Sequence, residues 1–470
     1  MSNIIATYLT DGKNRACFMN ALTSKFNNND GSTTISLYST DNPEFTSSVT
    51  IDKPEMDIPE TVEQPVLTIY NMANIISDDD KSSDCTSTIQ EYIDKCSNAG
   101  GGILYFGSGI YRLNGIKLNS KVSLVGNGEG NTILVRNMVS TGNTEMDTYN
   151  NGTAFIEIPI TSAGCSIKDM TIYGGAINAA TDDTILQVSG ITSYIDPFVV
   201  DGIYILDSPN TITSDNGNIV SSYNIHTTDS KFKDNTLYKY ITLKNISVIG
   251  FSGSGIIVGT NNTNVYIDSI KSNMNRYNGL VIGGNDCIIS NSEITGNGTH
   301  GIYNLGSNNL YNNILCQYNG KYAHTSSKGF YSVGDYCTSS NISLKSNWCT
   351  GLEVTANYNQ MNNILLDANG GRSSHDPNGG TPNPKDVPQV ILYGKFNTLR
   401  GTCTNHLETS TIFVSSRSLE CGNGLTNSII ELLVTDKSGE DLPVINNVEI
   451  DSSIYSQQIN SNLVTVIIDR

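Results

Sequence analysis

The chain has 470 residues with a formal net charge of −18, and only 15% of its residues are charged while 43 are glycine. The low charge content and the many Asn, Gly, Ser and Thr residues argue against a helical protein and favour an all-β chain with frequent tight turns. The negative charge argues against nucleic acid as a partner. A chain of this length exceeds one ordinary compact core, and an elongated repeat avoids that limit because each coil packs only on its neighbours.

The first 75 residues lack the periodicity of the later chain, and residues 52–65 carry three prolines among acidic residues, which is typical of an extended linker. We therefore place a domain boundary near residue 75. The first ten residues have neither the basic nor the apolar region of a signal peptide, and no apolar run reaches the roughly 18 residues of a membrane span. These features predict a soluble protein that is synthesised in a cytoplasm.

The ten cysteines contain no C-x-x-C pair and no zinc-ligand spacing, so we expect buried free thiols. A Gly-rich phosphate loop is absent, and Asp182-Asp183 alone does not form a calcium cage. The sequence therefore predicts no metal site and no cofactor.

One helix is predicted, beginning near Asp84, with Asp84 or Ser83 as its cap and Gly100–Gly102 as its end. Its apolar residues have the spacing of one helical face, at Ile89, Tyr92, Ile93, Cys96 and Ala99. Short strands are expected to follow at residues 103–106, 110–113, 122–125 and 132–135. We expect this helix to cover the open end of a solenoid, whose core would otherwise be exposed.

A glycine followed by an apolar residue then recurs along the chain, at Gly202, Gly255, Gly279, Gly301, Gly329 and Gly351. The spacing is 22 residues from Gly279 to Gly301 and again from Gly329 to Gly351. Three of these glycines follow an asparagine by four residues, at Asn275, Asn297 and Asn347, which predicts a hydrogen-bonded amide ladder between coils. A period near 22 with short strands favours a parallel β-helix over a sandwich or a propeller.

Several segments resemble the opening of pectate-lyase-like β-helices, which occur in bacteriophage tailspikes and related polysaccharide-degrading enzymes. They are residues 83–90, Ala99-Gly-Gly-Gly102, Leu104-Tyr-Phe106, Gly109-Ile-Tyr111 and residues 122–126. The chain departs from the usual pattern at residues 74–80, where a Gly-rich segment is expected, and at residues 107–109, where Pro-Gly is expected before the tyrosine.

The resemblance implies an all-β, right-handed, single-stranded parallel β-helix over residues 76–435 with one N-terminal capping helix. It also implies a virion protein of the phage tail, in which residues 1–75 attach to a tail or baseplate protein. Tailspikes that the chain resembles are trimers, so we expect a homotrimer. Residues 436–470 form a predicted C-terminal β segment whose apolar end at residues 463–468 is suited to a contact between copies.

Aligning the coils on the repeated glycine predicts which side chains share a face, because strand residues alternate in direction. The residue before each glycine forms one column, at Asp201, Ser254, Asn278, His300, Lys328 and Thr350. The second residue after each glycine forms another, directed outward, at Tyr204, Ile257, Val281, Tyr303, Tyr331 and Glu353. Neighbouring coils are about 4.8 Å apart. The sequence therefore predicts one exposed face that carries a candidate site.

The candidate catalytic residues are His300, Tyr303, Lys328, Tyr331 and Glu353. The candidate substrate-binding residues are Trp348, Arg276, Tyr277, Tyr204, Asp201 and Asp376. Exposed aromatic rings can stack on sugar rings, although Tyr and Trp also simply fit a pleated surface. Two long polar segments, residues 207–235 and 369–388, are expected to wall this face.

We therefore hypothesise a phage tailspike-like depolymerase that binds and cleaves a bacterial surface or capsular polysaccharide. The alternative is a non-catalytic glycan-binding or structural β-helix of a virion. A hydrolase needs two carboxylates, and Glu353 has no evident partner unless Asp376 approaches from its loop. A lyase needs a base, an acid and a positive group, and His300, Tyr303 or Tyr331, Lys328 and Arg276 match that set, which slightly favours a lyase.

Overall fold

The computed structural model describes residues 21–27, 33–39, 46–51, 68–77, 83–137, 154–175, 200–206, 237–260, 262–321, 327–367, 369, 390–405 and 429–436. The chain divides into two compact units, Met1–Val66 and Leu67–Arg470. The division falls before the expected position near residue 75, because residues 68–75 already belong to the second unit.

The first unit contains a three-stranded antiparallel sheet, which the sequence analysis did not predict. Its strands are β1 (Ala21–Asn27), β2 (Thr33–Ser39) and β3 (Thr46–Ile51), in that spatial order. β2 is central, and it pairs with β1 from Ala21↔Ser39 to Asn27↔Thr33 and with β3 from Thr33↔Ile51 to Tyr38↔Thr46.

The second unit is a parallel β-helix, as predicted, built from two long sheets of parallel strands. The nine-stranded sheet has the spatial order β24 (Val390–Leu392), β22 (Thr350–Val354), β20 (Lys328–Ser332), β18 (Ile302–Asn304), β16 (Leu280–Ile282), β14 (Ile256–Val258), β12 (Asp201–Ile205), β10 (Ala154–Ile158) and β7 (Ile116–Lys117). Strands adjacent in this sheet come from successive coils, so each repeat of the sequence adds one strand.

The fourteen-stranded sheet supplies the other side of each coil. Twelve strands follow one another in the order β26 (Ile429–Asp436), β25 (Thr398–Asn405), β23 (Gln360–Asp367), β21 (Thr338–Lys345), β19 (Leu310–Gln317), β17 (Ile288–Thr295), β15 (Asn262–Asn273), β13 (Leu237–Ile249), β11 (Ser166–Tyr173), β8 (Val122–Val125), β5 (Gly102–Tyr105) and β4 (Thr68–Asn71). Two further strands, β6 (Gly109–Leu113) and β9 (Thr132–Arg136), pair with each other, and β9 also pairs with β11.

Two helices lie at the start of this unit, α1 (Met72–Ile75) and α2 (Thr86–Asn98). α2 is the predicted helix, and its buried residues Ile89, Ile93 and Cys96 belong to the core of the first coils. Its N-cap is Cys85 rather than Asp84 or Ser83, because the helix begins one residue later than expected. The Asp84 carboxylate still accepts a hydrogen bond from the Thr86 amide at 2.9 Å. α1 was not predicted.

The predicted asparagine ladder is present and longer than expected. Its five members are Asn275, Asn297, Asn319, Asn347 and Asn369. In the first four, the side-chain amide donates to the Oδ1 of the next asparagine at 2.8–3.0 Å, and the backbone N–H donates to the same oxygen. All five are buried, so these bonds are shielded from water.

The ladder also explains the repeated glycine. A Cβ atom at Gly279, Gly329 or Gly351 would lie 2.6–2.7 Å from the Nδ2 atom of a ladder asparagine. That distance is too short for any larger residue, so the glycine column and the asparagine column require each other. The spacing that was visible in the sequence is therefore a packing constraint between neighbouring columns.

The described cysteine side chains agree with the expectation of buried free thiols. They are Cys85, Cys96, Cys165, Cys287, Cys316, Cys337 and Cys349, all free and buried. Cys17, Cys403 and Cys421 lie outside the side chains that the structure describes. Among the described residues, no helix is long and apolar enough to cross a membrane.

We expect Asn319→Ala to lower the free energy of unfolding by at least about 3 kcal/mol, since it leaves several buried ladder groups unpaired. Asn319 accepts from two groups of Asn297 and donates to Ile294 O at 2.9 Å. Urea unfolding followed by circular dichroism measures the loss. The matched control is Asn362→Ala, at a half-buried strand position outside the ladder, which should change stability by less than about 0.5 kcal/mol. Equal stabilities of the two variants would contradict the structural role of the ladder.

Candidate functional site

Five candidate residues come together on three successive strands of the nine-stranded sheet. Tyr303 of β18 pairs with Tyr331 of β20, and Tyr331 pairs with Glu353 of β22. His300 precedes β18, and Lys328 is the first residue of β20. We call this set, His300, Tyr303, Lys328, Tyr331 and Glu353, the central cluster. The predicted columns therefore have the register that the glycine alignment gave.

The face is less exposed than expected. His300 is 5% exposed and Lys328 is 8% exposed, the Glu353 side chain is mostly buried, and Tyr303 and Tyr331 are half-buried. Farther along the outward column, Tyr204, Ile257 and Val281 are fully buried, which corrects the expectation that they line an open surface. They form an apolar cluster of their own with Ala154 on the outer side of the sheet. The alternation of residues along a strand predicts the direction of a side chain, but it does not predict which other residues bury that side chain.

An ion pair joins two members of the central cluster. Lys328 Nζ lies 2.9 Å from Glu353 Oε2, and the two side chains are only 10% and 13% exposed. A pair so far removed from water is screened little by salt. It places a carboxylate that can accept a proton beside an ammonium group that can stabilise a negative substrate.

His300 is held as a neutral imidazole. Its Nδ1 accepts a hydrogen bond from the backbone N–H of Lys328 at 2.9 Å, so the ring proton of the neutral form lies on Nε2. Burial, and then the charge of Lys328, lower the pKa of His300 from its ordinary value of 6.5 to about 3. In this state His300 donates a hydrogen bond through Nε2 and has no lone pair there to accept a proton.

The two tyrosines of the central cluster are stacked, with ring centroids 5.1 Å apart and planes 6° apart. The His300 ring lies 5.2 Å from Tyr303 and 5.4 Å from Tyr331. Burial raises the pKa of both phenols. For Tyr303, electrostatic repulsion from Tyr331 raises the pKa further. For Tyr331, a hydrogen bond with the Thr355 side chain acts in the opposite direction and lowers the pKa. Both phenols therefore remain protonated at neutral pH and can donate protons.

The substrate-binding candidates on the turns lie beside the ladder. Arg276 and Trp348 each follow a ladder asparagine, but they are three coils apart, about 14 Å at the usual strand spacing. Arg276 is exposed, whereas Tyr277 and Trp348 are half-buried. Sequence reasoning missed Lys321, whose Nζ lies 5.9 Å from the centre of the Trp348 ring. Recognition of Asn319 as a ladder member would have placed Lys321 on this turn.

Other candidates do not join the central cluster. Asp201 lies five strands away from β22, about 24 Å at the usual strand spacing, and its Oδ1 accepts a hydrogen bond from the Ser254 amide. Tyr204 lies on the same distant strand and is 1% exposed. Asp376 and the two polar segments fall outside the described residues, apart from Asn369, which belongs to the ladder.

The chemistry of the central cluster follows from the acidic, basic and hydrogen-bonding groups that it contains. Within β18, β20 and β22 and the residues just before them, Glu353 is the single carboxylate. The cluster therefore offers one proton acceptor, two phenol donors, one imidazole N–H donor and one ammonium group. Among the described residues, no group of three or more His, Cys, Asp or Glu side chains has metal-site spacing.

We expect His300 to make the folded protein acid-sensitive. Its folded pKa of about 3 lies below the unfolded 6.5, so the unfolded chain binds the extra proton first as the pH falls. The contribution of His300 to the free energy of unfolding is complete above pH 6.5 and is lost towards pH 3. By pH 5 the free energy of unfolding has fallen by about 2 kcal/mol. Urea unfolding at pH 7 and pH 5 measures the free energy of unfolding at each pH. Between these two pH values, the wild type should lose about 2 kcal/mol more than His300→Gln, because glutamine does not titrate. Equal losses in the two proteins would contradict the neutral, buried His300.

No protein-family model matches the chain, and no curated protein matches it in sequence. Solved structures do resemble it. The Dettilon tailspike protein aligns with 10% identity and a TM-score of 0.52, over 78% of this chain and 62% of that protein. The A-module of an Azotobacter vinelandii mannuronan C-5 epimerase aligns with 15% identity and a TM-score of 0.49, over 85% of this chain and 99% of the module.

Tailspike protein 2 of an Escherichia coli O157:H7 bacteriophage aligns with 14% identity and a TM-score of 0.47, over 75% of this chain. This chain spans only 40% of the length of that phage protein. At such identities the likeness concerns the fold. The likeness to the Dettilon tailspike protein, together with the parallel pairing of both long sheets, identifies the fold of the second unit as a right-handed parallel β-helix.

Proposed function

We propose that the chain is a tailspike depolymerase that cleaves an anionic bacterial surface or capsular polysaccharide by β-elimination. The observation that carries this proposal is the Lys328–Glu353 pair at 2.9 Å beside two stacked phenols, with no second carboxylate among the described residues of β18, β20 and β22. A hydrolase of the two-carboxylate type requires a second acid within about 5–9.5 Å.

The elimination assigns one role to each member of the central cluster. Glu353 accepts the proton from the carbon beside the uronate carboxyl group, and that carbon–hydrogen bond breaks. The electrons form a carbon–carbon double bond as the glycosidic carbon–oxygen bond breaks. Tyr303 or Tyr331 donates a proton to the departing oxygen, and the proton on Glu353 then restores the phenol. Each step moves a proton between groups that the cluster supplies.

Lys328 and His300 stabilise the negative charge that develops on the uronate carboxyl group. Lys328 supplies an ammonium group, and the Nε2–H of neutral His300 supplies a hydrogen-bond donor. This assignment differs from the expectation that His300 is the base, because Nδ1 already accepts the Lys328 backbone N–H. Preorganised donors of this kind act strongly where water is excluded.

The charges around the central cluster favour an anionic sugar. Lys328, Lys321 and Arg276 lie on the strands β16 to β22 of this sheet or on the turns before them, where Glu353 is the single carboxylate among the described residues. The chain as a whole has a net charge of −18, so a locally positive face is a departure from the rest of the surface. Trp348, with Lys321 over its ring, offers an aromatic surface for a sugar ring.

The virion context is part of the same proposal. The first unit, with its antiparallel sheet, attaches the β-helix to a phage tail or baseplate protein, and the working protein is a homotrimer. The expected contact through residues 436–470 lies outside the described residues, apart from the last residue of β26. A separate compact unit ahead of the β-helix supports this division of roles.

We expect Glu353→Gln to lower depolymerisation by at least ~100-fold, because the amide cannot accept the substrate proton. His300→Ala should lower it by a comparable factor, since it removes the Nε2–H donor. Reducing-end release from a panel of purified uronate-containing capsular polysaccharides measures both. The control is Glu293→Gln, which removes a half-buried carboxylate on β17 in the other sheet and should leave the rate unchanged. Full activity in both site variants would remove this face from consideration.

We expect the wild-type products to absorb in the ultraviolet band of a 4,5-unsaturated uronate, because elimination leaves a double bond in the new non-reducing end. Absorbance and reducing ends should rise together during digestion. Reducing ends without the absorbance would assign hydrolysis instead. Binding of the polysaccharide without new reducing ends would favour the non-catalytic glycan-binding alternative.

A further inference from the structure

A line of apolar side chains follows one corner of the β-helix, away from the central cluster. Its six members lie on successive coils, in the order Tyr266, Ile288, Leu310, Tyr336, Tyr358 and Phe396. Each is between 38% and 56% exposed. We call this line the apolar ridge.

The ridge runs in two stretches of three coils each, offset from one another by two residues. Tyr266 pairs with Ile288, and Ile288 pairs with Leu310. On the next coil the ridge passes to Tyr336, two residues before Thr338, which is the partner of Leu310. The rings of Tyr336, Tyr358 and Phe396 then stack at centroid distances of 4.7 and 4.9 Å. Five strand spacings give a length of about 24 Å.

This arrangement is not the usual scatter of surface hydrophobics. Ten large hydrophobic residues are exposed among the side chains that the structure describes, and six of them form the ridge. Of the other four, Tyr240 stands two residues before Thr242, the strand partner of Tyr266, while Ile69, Tyr318 and Val333 lie elsewhere. Single exposed apolar residues are ordinary, whereas a contiguous apolar patch marks an interaction surface.

The ring geometry argues against a sugar as the occupant. The planes of Tyr336 and Tyr358 are 2° apart and those of Tyr358 and Phe396 are 8° apart. Stacked rings cover each other's faces and present their edges outward. Sugars stack on ring faces, so most of the ridge offers them nothing. A row of ring edges and aliphatic side chains fits a second apolar surface with the same repeat from coil to coil.

Several of the polar side chains that border the ridge are already paired. Two residues after the ridge column, Ser290 Oγ donates to Asp268 Oδ1 at 2.8 Å, and Ser340 Oγ donates to Asn312 Oδ1 at 2.9 Å. Lys244 also lies 3.4 Å from Asp268. Removing water from the neighbouring surface costs these groups little free energy, because their hydrogen-bond partners are within the chain. An apolar strip beside a polar rim is the composition of protein–protein interfaces.

The uncovered area has the size of an interface core. At roughly 200 Å² for a whole aromatic side chain, the four ridge rings leave roughly 350 Å² exposed, and Ile288 and Leu310 bring the total to roughly 500 Å². A standard interface covers about 800 Å² per partner, and about 65% of that is apolar in homodimers. The ridge thus supplies about the apolar area that one side of such an interface needs.

We propose that the apolar ridge is the surface along which a second copy of this chain packs, side by side and with parallel axes. When the rotation axis is parallel to the β-helix axis, each ridge residue lies at the same level as the identical residue of the second copy. Apolar residues therefore meet apolar residues along the whole ridge. No member of the central cluster takes part. The inference therefore holds whether or not the chain is a depolymerase.

The test compares two double variants with matched exposure and equal added charge. Ile288 and Leu310 on the ridge are 40% and 38% exposed, and Tyr318 and Val333 off the ridge are 40% and 37% exposed. Light scattering after gel filtration at micromolar concentration should give the wild type and Tyr318→Lys/Val333→Lys a mass of three copies. Ile288→Lys/Leu310→Lys should run near the 50.7 kDa monomer. The wild-type mass in the ridge variant, or a monomeric wild type, would overturn the proposal.

A second variant covers the case in which the charged ridge variant does not fold. Leu310→Cys places one thiol on the ridge, and the seven described native cysteines are buried. Mild oxidation should link two copies of Leu310→Cys in a non-reducing gel and leave Tyr318→Cys unlinked. An oligomer without this link would place the contact elsewhere. Polysaccharide cleavage is assayed separately, so a failed function would leave the mass and cross-linking results intact.

Discussion

Hydrogen bonding between successive coils is the constraint on which the rest of this molecule depends. The buried Oδ1 atoms of Asn297, Asn319, Asn347 and Asn369 each accept hydrogen bonds from both the side-chain amide and the backbone N–H of the asparagine one coil earlier. Because all of these bonds must form at once, the coils are held in one register. The adjacent glycines have no room for a Cβ atom, so the register cannot slip without a clash.

The central cluster is a direct result of that register. Its residues come from three coils and are 22 to 28 positions apart in sequence between equivalent sites, yet they touch because each coil adds one strand. The bond between coils also sets the chemistry of one member. The Lys328 backbone N–H that reaches His300 Nδ1 fixes the proton on Nε2, and burial keeps the ring neutral. The fold thus makes His300 a hydrogen-bond donor through its Nε2 atom.

The repeat could be read from the sequence because glycine and asparagine positions reflect backbone packing, which is local and periodic. The strands that open at the repeated glycines, β12, β14, β16, β18, β20 and β22, and the order of the site columns were predicted from them. What covers a column was not predictable. Tyr204 and Tyr303 occupy equivalent positions, yet one is fully buried and the other half-buried, because neighbours outside the sheet decide this. Nor does residue type reveal the tautomer of His300, which depends on one backbone amide in the next coil.

The catalytic proposal and the packing proposal draw on different columns of the same stack, which makes them separable. In a solenoid each residue contacts only its own coil and the adjacent ones, so a change on the ridge reaches the central cluster only through the shared core. The net charge of −18 opposes the approach of two copies. Beyond about 8 Å that repulsion is largely screened at physiological salt. The six ridge residues carry no charge, so they add no repulsion of their own between two copies, while the ionised groups of the site remain on another face of each coil.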